Sequence, residues 1–228
     1  MKIGILSATV WEVRPAIRSL GLAPAAPGVF DGEAGKHSVS LRLSGMGQER
    51  ARRAALSFSG FSPRLLIATG FCGSLKDHVK PGDLVLDRAK SDSKYADALI
   101  QTARKLDIPC HAGAIFTSGH MVVRARDKRR LGTETGAIGV DMESQAVAEA
   151  LRRRGISLLF VRAVSDGADQ DLPDVGGVLA ENGRLQKGAL MKILAKPGQW
   201  ADFARLGLGS RKAGSNLARI LKEFIGHV

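Results

Sequence analysis

Hydrophobic residues along the chain fall into two alternating rhythms. Short, nearly continuous apolar runs recur at 2–8 ("KIGILSA"), 64–70 ("RLLIATG"), 83–86 ("DLVL") and 156–166 ("ISLLFVRAVSD"). Runs of this length predict strands covered on both faces. "HSVSLRLSG" (37–45) alternates instead, with Val39, Leu41 and Leu43 on one side, and two further strands are predicted at "HAGAIFTSG" (111–119) and "AIGVDM" (137–142). Between them lie helical periodicities at "WEVRPAIRSL" (11–20), "QERARRAALSF" (48–58), near 94–106, near 126–135 and within "VDMESQAVAEALRRRG" (140–155). The last of these places acids at its start, and three arginines and Gly155 at its end, as the helix dipole and a glycine stop require. The remaining third reads as helical, broken at Pro197-Gly198 and at "GLGS" (207–210). Strands separated by helices predict an α/β fold: a single domain with a central, mostly parallel but mixed twisted sheet flanked by helices.

Composition narrows the class. A chain of 228 residues with 44% hydrophobic content can bury a full core, and no apolar run approaches the roughly 18 residues of a membrane span. The start "MKIGILSATVWEVRP" lacks the pattern of a signal peptide. Cys72 and Cys110 are too far apart in sequence for a metal motif or a disulfide framework, so reduced cytoplasm and no metal are expected. Charge is less ordinary. The formal net charge is +12, and residues 184–228 hold nine basic side chains against two acids. A basic tail suits an anionic membrane surface, nucleic acid or simple solubility. With 5% aromatics and none interleaved with the cations, nucleic acid has little support.

In α/β sheets, chemistry collects beyond the carboxyl ends of strands. Polar residues there are Glu12, "SGMG" (44–47), "TGFCGS" (69–74), "TSGH" (117–120), Asp141 and Glu143, and "RAVSD" (162–166). Each alone has a plainer reading as a first-turn acid, a tight turn or a cap, and His120 reads as a loop histidine. Together they place a carboxylate after one apolar run after another. There is no serine-hydrolase elbow, no phosphate loop, and only half of a dinucleotide fingerprint in "GMGQER". Carboxylates, small turns and an arginine point to acid–base chemistry or glycosidic cleavage without a cofactor.

Seven segments then carry a resemblance, in order: "KIGILSATVWEV", "LSGMGQERA", "LIATGFCGSL", "KPGDLVL", "FTSGH", "VDMESQAVA" and "VRAVSDGAD". They are similar to the purine nucleoside phosphorylase and methylthioadenosine/adenosylhomocysteine nucleosidase superfamily. The resemblance covers residues 1–195 and leaves 196–228 as a basic, amphipathic helical extension packed on the same domain. It implies cleavage of a purine N-glycosidic bond, release of adenine, and a homodimer or larger assembly. Catalytic roles are implied for Glu12 (proton acceptor from the attacking water), Asp166 (proton donor to the purine's imidazole ring, with a raised pKa) and Arg162 (positioning of that water). Met142 would floor the ribose, Glu143 grip its hydroxyls, Ser165 orient Asp166, and Val122 and Val123 cover the base, with Gly70 and Phe71 in the turn beside them.

Two departures from the family pattern shape the expectation. Ala68 and Phe71 stand where the phosphorolytic branch places anion-binding side chains, so water is favoured over inorganic phosphate unless Arg14, Arg50 or another arginine substitutes. A short "SDSK" (91–94) replaces a longer closing loop, which would leave the five-prime side open. The pattern is also similar to hopanoid-biosynthesis-associated phosphorylases, implying adenine release from an adenosyl group on a triterpenoid lipid. The stripe Leu217, Ile220, Leu221, Phe224, Ile225 and Val228 reads as a helix packed on the domain, or as a face for an anionic membrane. A nucleoside- or lipid-binding module without turnover stays as the alternative from another class, and the complete set of three carboxylates favours an enzyme.

Overall fold

The computed structural model describes residues 1–173 and 197–228. The elements are β1 (Lys2–Ser7), α1 (Val10–Ser19), β2 (Ala23–Ala26), β3 (Val29–Ala34), β4 (His37–Leu43), α2 (Gln48–Ser57), β5 (Leu65–Ala68), β6 (Phe71–Ser74), β7 (Leu84–Leu86) and α3 (Ser93–Lys105). They continue with β8 (Cys110–Ala112), β9 (Ile115–Thr117), α4 (Ala125–Thr135), β10 (Gly139–Asp141), α5 (Ser144–Leu151), β11 (Ser157–Asp166) and α6 (Trp200–His227). The sheet runs β2-β3-β4-β1-β5-β11-β6-β10-β9, with β7 pairing β11 and β8. β1 is parallel to β4 and β5, and β11 is parallel to β5 and β6; β3–β4, β6–β10 and β7–β11 are antiparallel. The fold is therefore the expected single-domain α/β arrangement with a mixed sheet.

The central strands show why continuous apolar runs were needed. Ile3, Ile5, Leu65, Ile67, Leu159 and Val161 pack into one cluster with α1, α3 and α6. Their alternates Leu6, Leu66, Ala68 and Phe160 pack into another with α2 and α5. A strand whose neighbours in sequence feed two different cores can carry no polar face. β2, in contrast, is exposed at every position and carries Pro24 at the sheet edge, where a missing donor costs nothing.

The structure departs from the sequence-based expectation at five places. The hairpin β2–β3 and its pairing with β4 had no predicted counterpart, because the exposed edge strand β2 and the half-buried β3 carry little apolar signal. "HAGAIFTSG" is two strands: β8 pairs β7 and β9 pairs β10, and Gly113 between them admits Ile138 where a Cβ would lie 2.7 Å from its side chain. The "TGFCGS" turn contains a strand, β6. The helix of 140–155 starts only at Ser144, since Gly139–Asp141 extend the sheet.

"GLGS" is no break either, for α6 runs through it. Gly209 lies so close to the end of β11 that a Cβ there would fall 2.2 Å from the Ser165 carbonyl oxygen. The glycine is thus a contact point for a helix on a strand. The stripe Leu217, Ile220, Leu221, Phe224 and Ile225 is buried in the core, so it is not a membrane-facing surface. The expected helical reading of 174–196 lies outside the described residues. No helix among the described residues is long and apolar enough to cross a membrane.

Two glycines on α6 separate helix propensity from packing. Gly207→Ala meets nothing within 4 Å and should stabilise the fold by up to about 1 kcal/mol in urea denaturation. Gly209→Ala gains the same propensity but must push α6 off Ser165, so a net loss of stability and of activity is expected. Equal stabilisation by both would show that the close approach carries no load.

Candidate active site

One cavity of about 620 Å³ opens along β6 and beyond the ends of β1, β10 and β11, and its walls are mostly apolar. Phe71, Gly73, Val122, Val140 and Met142 line it, and Glu12, Glu143, Ser165 and Asp166 bring polar atoms to it.

Each acid is held by its own local chemistry. Glu12, in the first turn of α1, accepts hydrogen bonds from Ser7 Oγ (2.7 Å), the Thr9 amide (2.9 Å) and the Phe71 amide (3.3 Å). The last bond ties α1 to the turn after β5. Gly70 is required in that turn by two facts. Its φ is +132°, and a Cβ would lie 2.8 Å from Arg162 Nη1 and 3.0 Å from Glu12 Oε2. Glu143, between β10 and α5, accepts from the Gly47 amide (2.9 Å), which brings the "SGMG" turn to the site. Burial pushes the Glu143 carboxyl up to about 7, against the pull of Arg162 and the Gly47 amide and with added repulsion from Asp141 and Glu12. At the end of β11 the register with β6 shifts between Val164 and Asp166. Asp166 accepts from Ser165 Oγ at 2.6 Å on Oδ1 and from Lys128 Nζ on Oδ2. Ser165 Oγ thus holds one oxygen of Asp166.

Three expected site residues do not line the cavity. Arg162 is buried behind it, donating to the Thr69 carbonyl at 2.6 Å and to Ser144 Oγ at 3.2 Å, and pairing with Asp141 at 2.8 Å. Its Nη1 and Glu12 Oε2 meet around the space that a Gly70 Cβ would fill, at 2.8 and 3.0 Å from it. Val123 uses its carbonyl to accept from the Leu172 amide (2.8 Å), which ties the lining residue Leu172 to the loop before α4. Gly70 is a spacer rather than a wall. Asp141, weighed as a possible site acid, is saturated: besides Arg162 it accepts from Thr117 Oγ1, Ser144 Oγ and the first amides of α5.

The sequence reading missed two contributors. Leu206, Gly207, Ser210, Arg211 and Gly214 of α6 form one wall with Trp11 and Pro15 of α1. Small residues at 207, 210 and 214 follow helical spacing and were the available signal, read instead as a break. His120, expected as a loop histidine, also lines the cavity. The second contributor is Lys128, hidden within a charged helix. The "SDSK" segment, in contrast, lies at the other end of β11: the Asp92 amide donates to the Leu158 carbonyl and Ser157 Oγ to Asp92. Its shortness therefore does not open this cavity. Among the described lining residues, Arg211 at the mouth is the one Lys or Arg, and neither Arg14 nor Arg50 lines the cavity. No metal-binding cluster occurs among the described residues.

Comparison with known proteins places this geometry. The family model described as "Phosphorylase superfamily" matches residues 2–89 and 85–195. The chain is 23% identical over 231 residues to the 5′-methylthioadenosine/S-adenosylhomocysteine nucleosidase of Buchnera aphidicola, covering 86% of this chain and 97% of that protein. With the nucleosidase of the same name from Haemophilus influenzae (strain PittEE) it shares 27% over 201 residues, 74% and 87% of the two chains. In fold it is similar to the futalosine hydrolase of Helicobacter pylori strain 26695, with a TM-score of 0.76 at 19% identity over 100% and 98% of the chains. A nucleosidase from Neisseria meningitidis in complex with methylthio-immucillin-A gives 0.75 at 19%, over 100% and 99%.

The Glu143 environment fixes a pH dependence. A carboxyl raised from 4.5 to about 7 holds its proton in the folded state at pH values where the unfolded chain has lost it. Its contribution to stability is therefore largest below 4.5 and falls as pH rises to about 7. Glu143→Gln should raise the Tm at pH 8 and change it little near pH 4.5, while lowering activity. In the parent, kcat/KM should be level above about pH 7. Below that it should fall roughly tenfold per unit as the carboxylate is protonated. A flat profile from pH 5 to 8 would assign Glu143 no role as an anion.

Proposed function

The chain belongs to the phosphorylase superfamily and is an enzyme of it, and from that premise we propose that it is a purine nucleosidase releasing adenine from a five-prime-substituted nucleoside. The convergence of Glu12, Glu143 and Asp166 on one apolar cavity carries this reading. Breaking a ribosyl–purine bond builds positive charge on the sugar and negative charge on the base. Met142 and Phe71 supply a dry floor, on which a carboxylate acts more strongly than in water. Glu143 holds the ribose hydroxyls and its charge favours the cationic sugar. Asp166 hands a proton to the imidazole ring of the departing base. Glu12, fixed by three donors, takes the proton of the attacking water, and Arg162 sets the turn against which Glu12 rests.

Water rather than inorganic phosphate fits as nucleophile. Ala68 is buried inside β5, Phe71 is apolar, and Arg211 stands at the mouth. No cofactor is needed for these steps. The wall of Trp11, Pro15 and Leu206 suits a large apolar five-prime group, such as a triterpenoid carrying the adenosyl unit. The exposed cations Arg205, Arg211 and Lys212 on α6 suit an anionic bilayer carrying such a substrate, and a peripheral position at the cytoplasmic membrane face belongs to the same reading. Methylthioadenosine is the alternative substrate. A homodimer or larger assembly belongs to the same reading.

Chromatography of free adenine, with and without phosphate, tests it. Release should proceed without phosphate and leave a free anomeric hydroxyl; a phosphate-saturable rate with a sugar phosphate product would make the enzyme a phosphorylase. Glu12→Gln should keep nucleoside affinity and lose about a hundred- to ten-thousand-fold in kcat. Retention within a few-fold would remove Glu12 as the base. An adenosyl lipid in vesicles should be preferred over methylthioadenosine, and the reverse preference would restrict the proposal to small thioether nucleosides.

A further inference from the structure

The run "RARDKRR" (124–130) carries five cations, and four of them make exposed pairs: Arg124 with Asp171, Arg126 and Arg130 with Asp127, and Arg129 with Asp77. Such pairs contribute little to stability. Lys128 differs in kind. It is fully buried, and its ammonium group meets Asp166 Oδ2, the Gly167 carbonyl at 3.1 Å and the Gln170 carbonyl at 2.9 Å. Three donors thus face three acceptors. Gly132, one turn on, lets α4 lie this close, since a Cβ there would fall 2.4 Å from the Leu75 carbonyl oxygen.

A strut for the 167–170 turn would need only the two carbonyls. The third partner is the acid that the reaction uses. With Ser165 Oγ on Oδ1 and Lys128 on Oδ2, both oxygens of Asp166 act as acceptors, as in a carboxylate rather than an acid. Yet departure of the purine calls for a proton at this position, and Lys128 Nζ carries one in direct contact.

We propose that Lys128 is the positioning residue that supplies the proton Asp166 passes to the leaving base. As the C1′–N9 bond breaks, its electron pair enters the purine. A proton moves from Nζ to the Asp166 carboxylate, and from that carboxyl to the imidazole-ring nitrogen. Lys128 is left as a neutral amine and Asp166 again as a carboxylate. Water adds to the sugar cation and its proton goes to Glu12, and solvent returns that proton to Lys128 between turnovers. The transfer removes charge from a buried pair just as negative charge develops on the base, and the interior favours that cancellation. This rests on the role given to Asp166 above.

Lys128→Met keeps the length of the side chain and removes the proton. Adenine release from methylthioadenosine should then lose about a hundredfold or more in kcat, as for a lost proton donor, with KM little changed. Hydrolysis of 4-nitrophenyl riboside, whose leaving group departs unprotonated, should stay within a few-fold. Equal losses on both substrates, or purine turnover near the parental rate, would overturn the proposal. Should Lys128→Met fail to fold because it strands a buried carboxylate, Asp166→Asn is compared with Asp166→Asn/Lys128→Met. A residue acting only through Asp166 costs nothing more once Asp166 is gone, so equal purine kcat is expected and a further loss overturns it. If Asp166→Asn alone cleaves purines at the parental rate, the role of Asp166 itself fails. A crippled Asp166→Asn beside an active Lys128→Met removes Lys128 alone.

Discussion

A buried guanidinium organises the carboxyl edge of this sheet. Arg162, from the middle of β11, reaches the Thr69 carbonyl after β5, Asp141 at the end of β10 and Ser144 at the start of α5. Removing both charges from water is costly, and the pair is tolerable because nearly every acceptor on Asp141 is also used. Breaking one half would leave the other stranded. The pair therefore sets where three strand ends stand, and with them Gly70, Glu12 and Glu143.

The same edge explains why α6 cannot be treated as an appendage. Its lower turns fill the main core with Leu217, Ile220, Leu221 and Phe224, and Arg219 reaches the Leu106 carbonyl. Its upper turns, thinned by glycine, touch Ser165 and Phe71 and become a wall of the cavity. Stability and substrate access are thus carried by one continuous helix. Any change that lifts α6 from β11 alters both.

The acids around the cavity differ by surroundings rather than by type. Asp141 is saturated by donors and serves as an anchor. Glu143 is raised by burial and changes charge near neutrality. Asp166 shares its oxygens with Ser165 and Lys128, while Glu12 rests on two backbone amides and a hydroxyl. Sequence order alone ranks none of these, because each environment is assembled from segments distant in the chain.

Local information determined a good deal. Continuous apolar runs marked β1, β5 and β11, since strands feeding two cores must be apolar on both sides, and helical periodicity marked α1 to α5 with errors at their ends. Strand-end position and motif order brought Glu12, Met142, Glu143, Ser165 and Asp166 to one cavity on paper, and the folded chain places all five there. Tertiary structure decided the rest. β2 is exposed throughout and β3 is only half-buried, so the hairpin gave a weak apolar signal, and the glycines of α6 looked like breaks because the strand they pack against is some 40 residues away in sequence. Lys128 sits among four exposed cations that a sequence cannot tell from it. Only the rotation of α4 against β11 decides which one turns inward, and burial beside Asp166 makes that one charge count where its neighbours' do not.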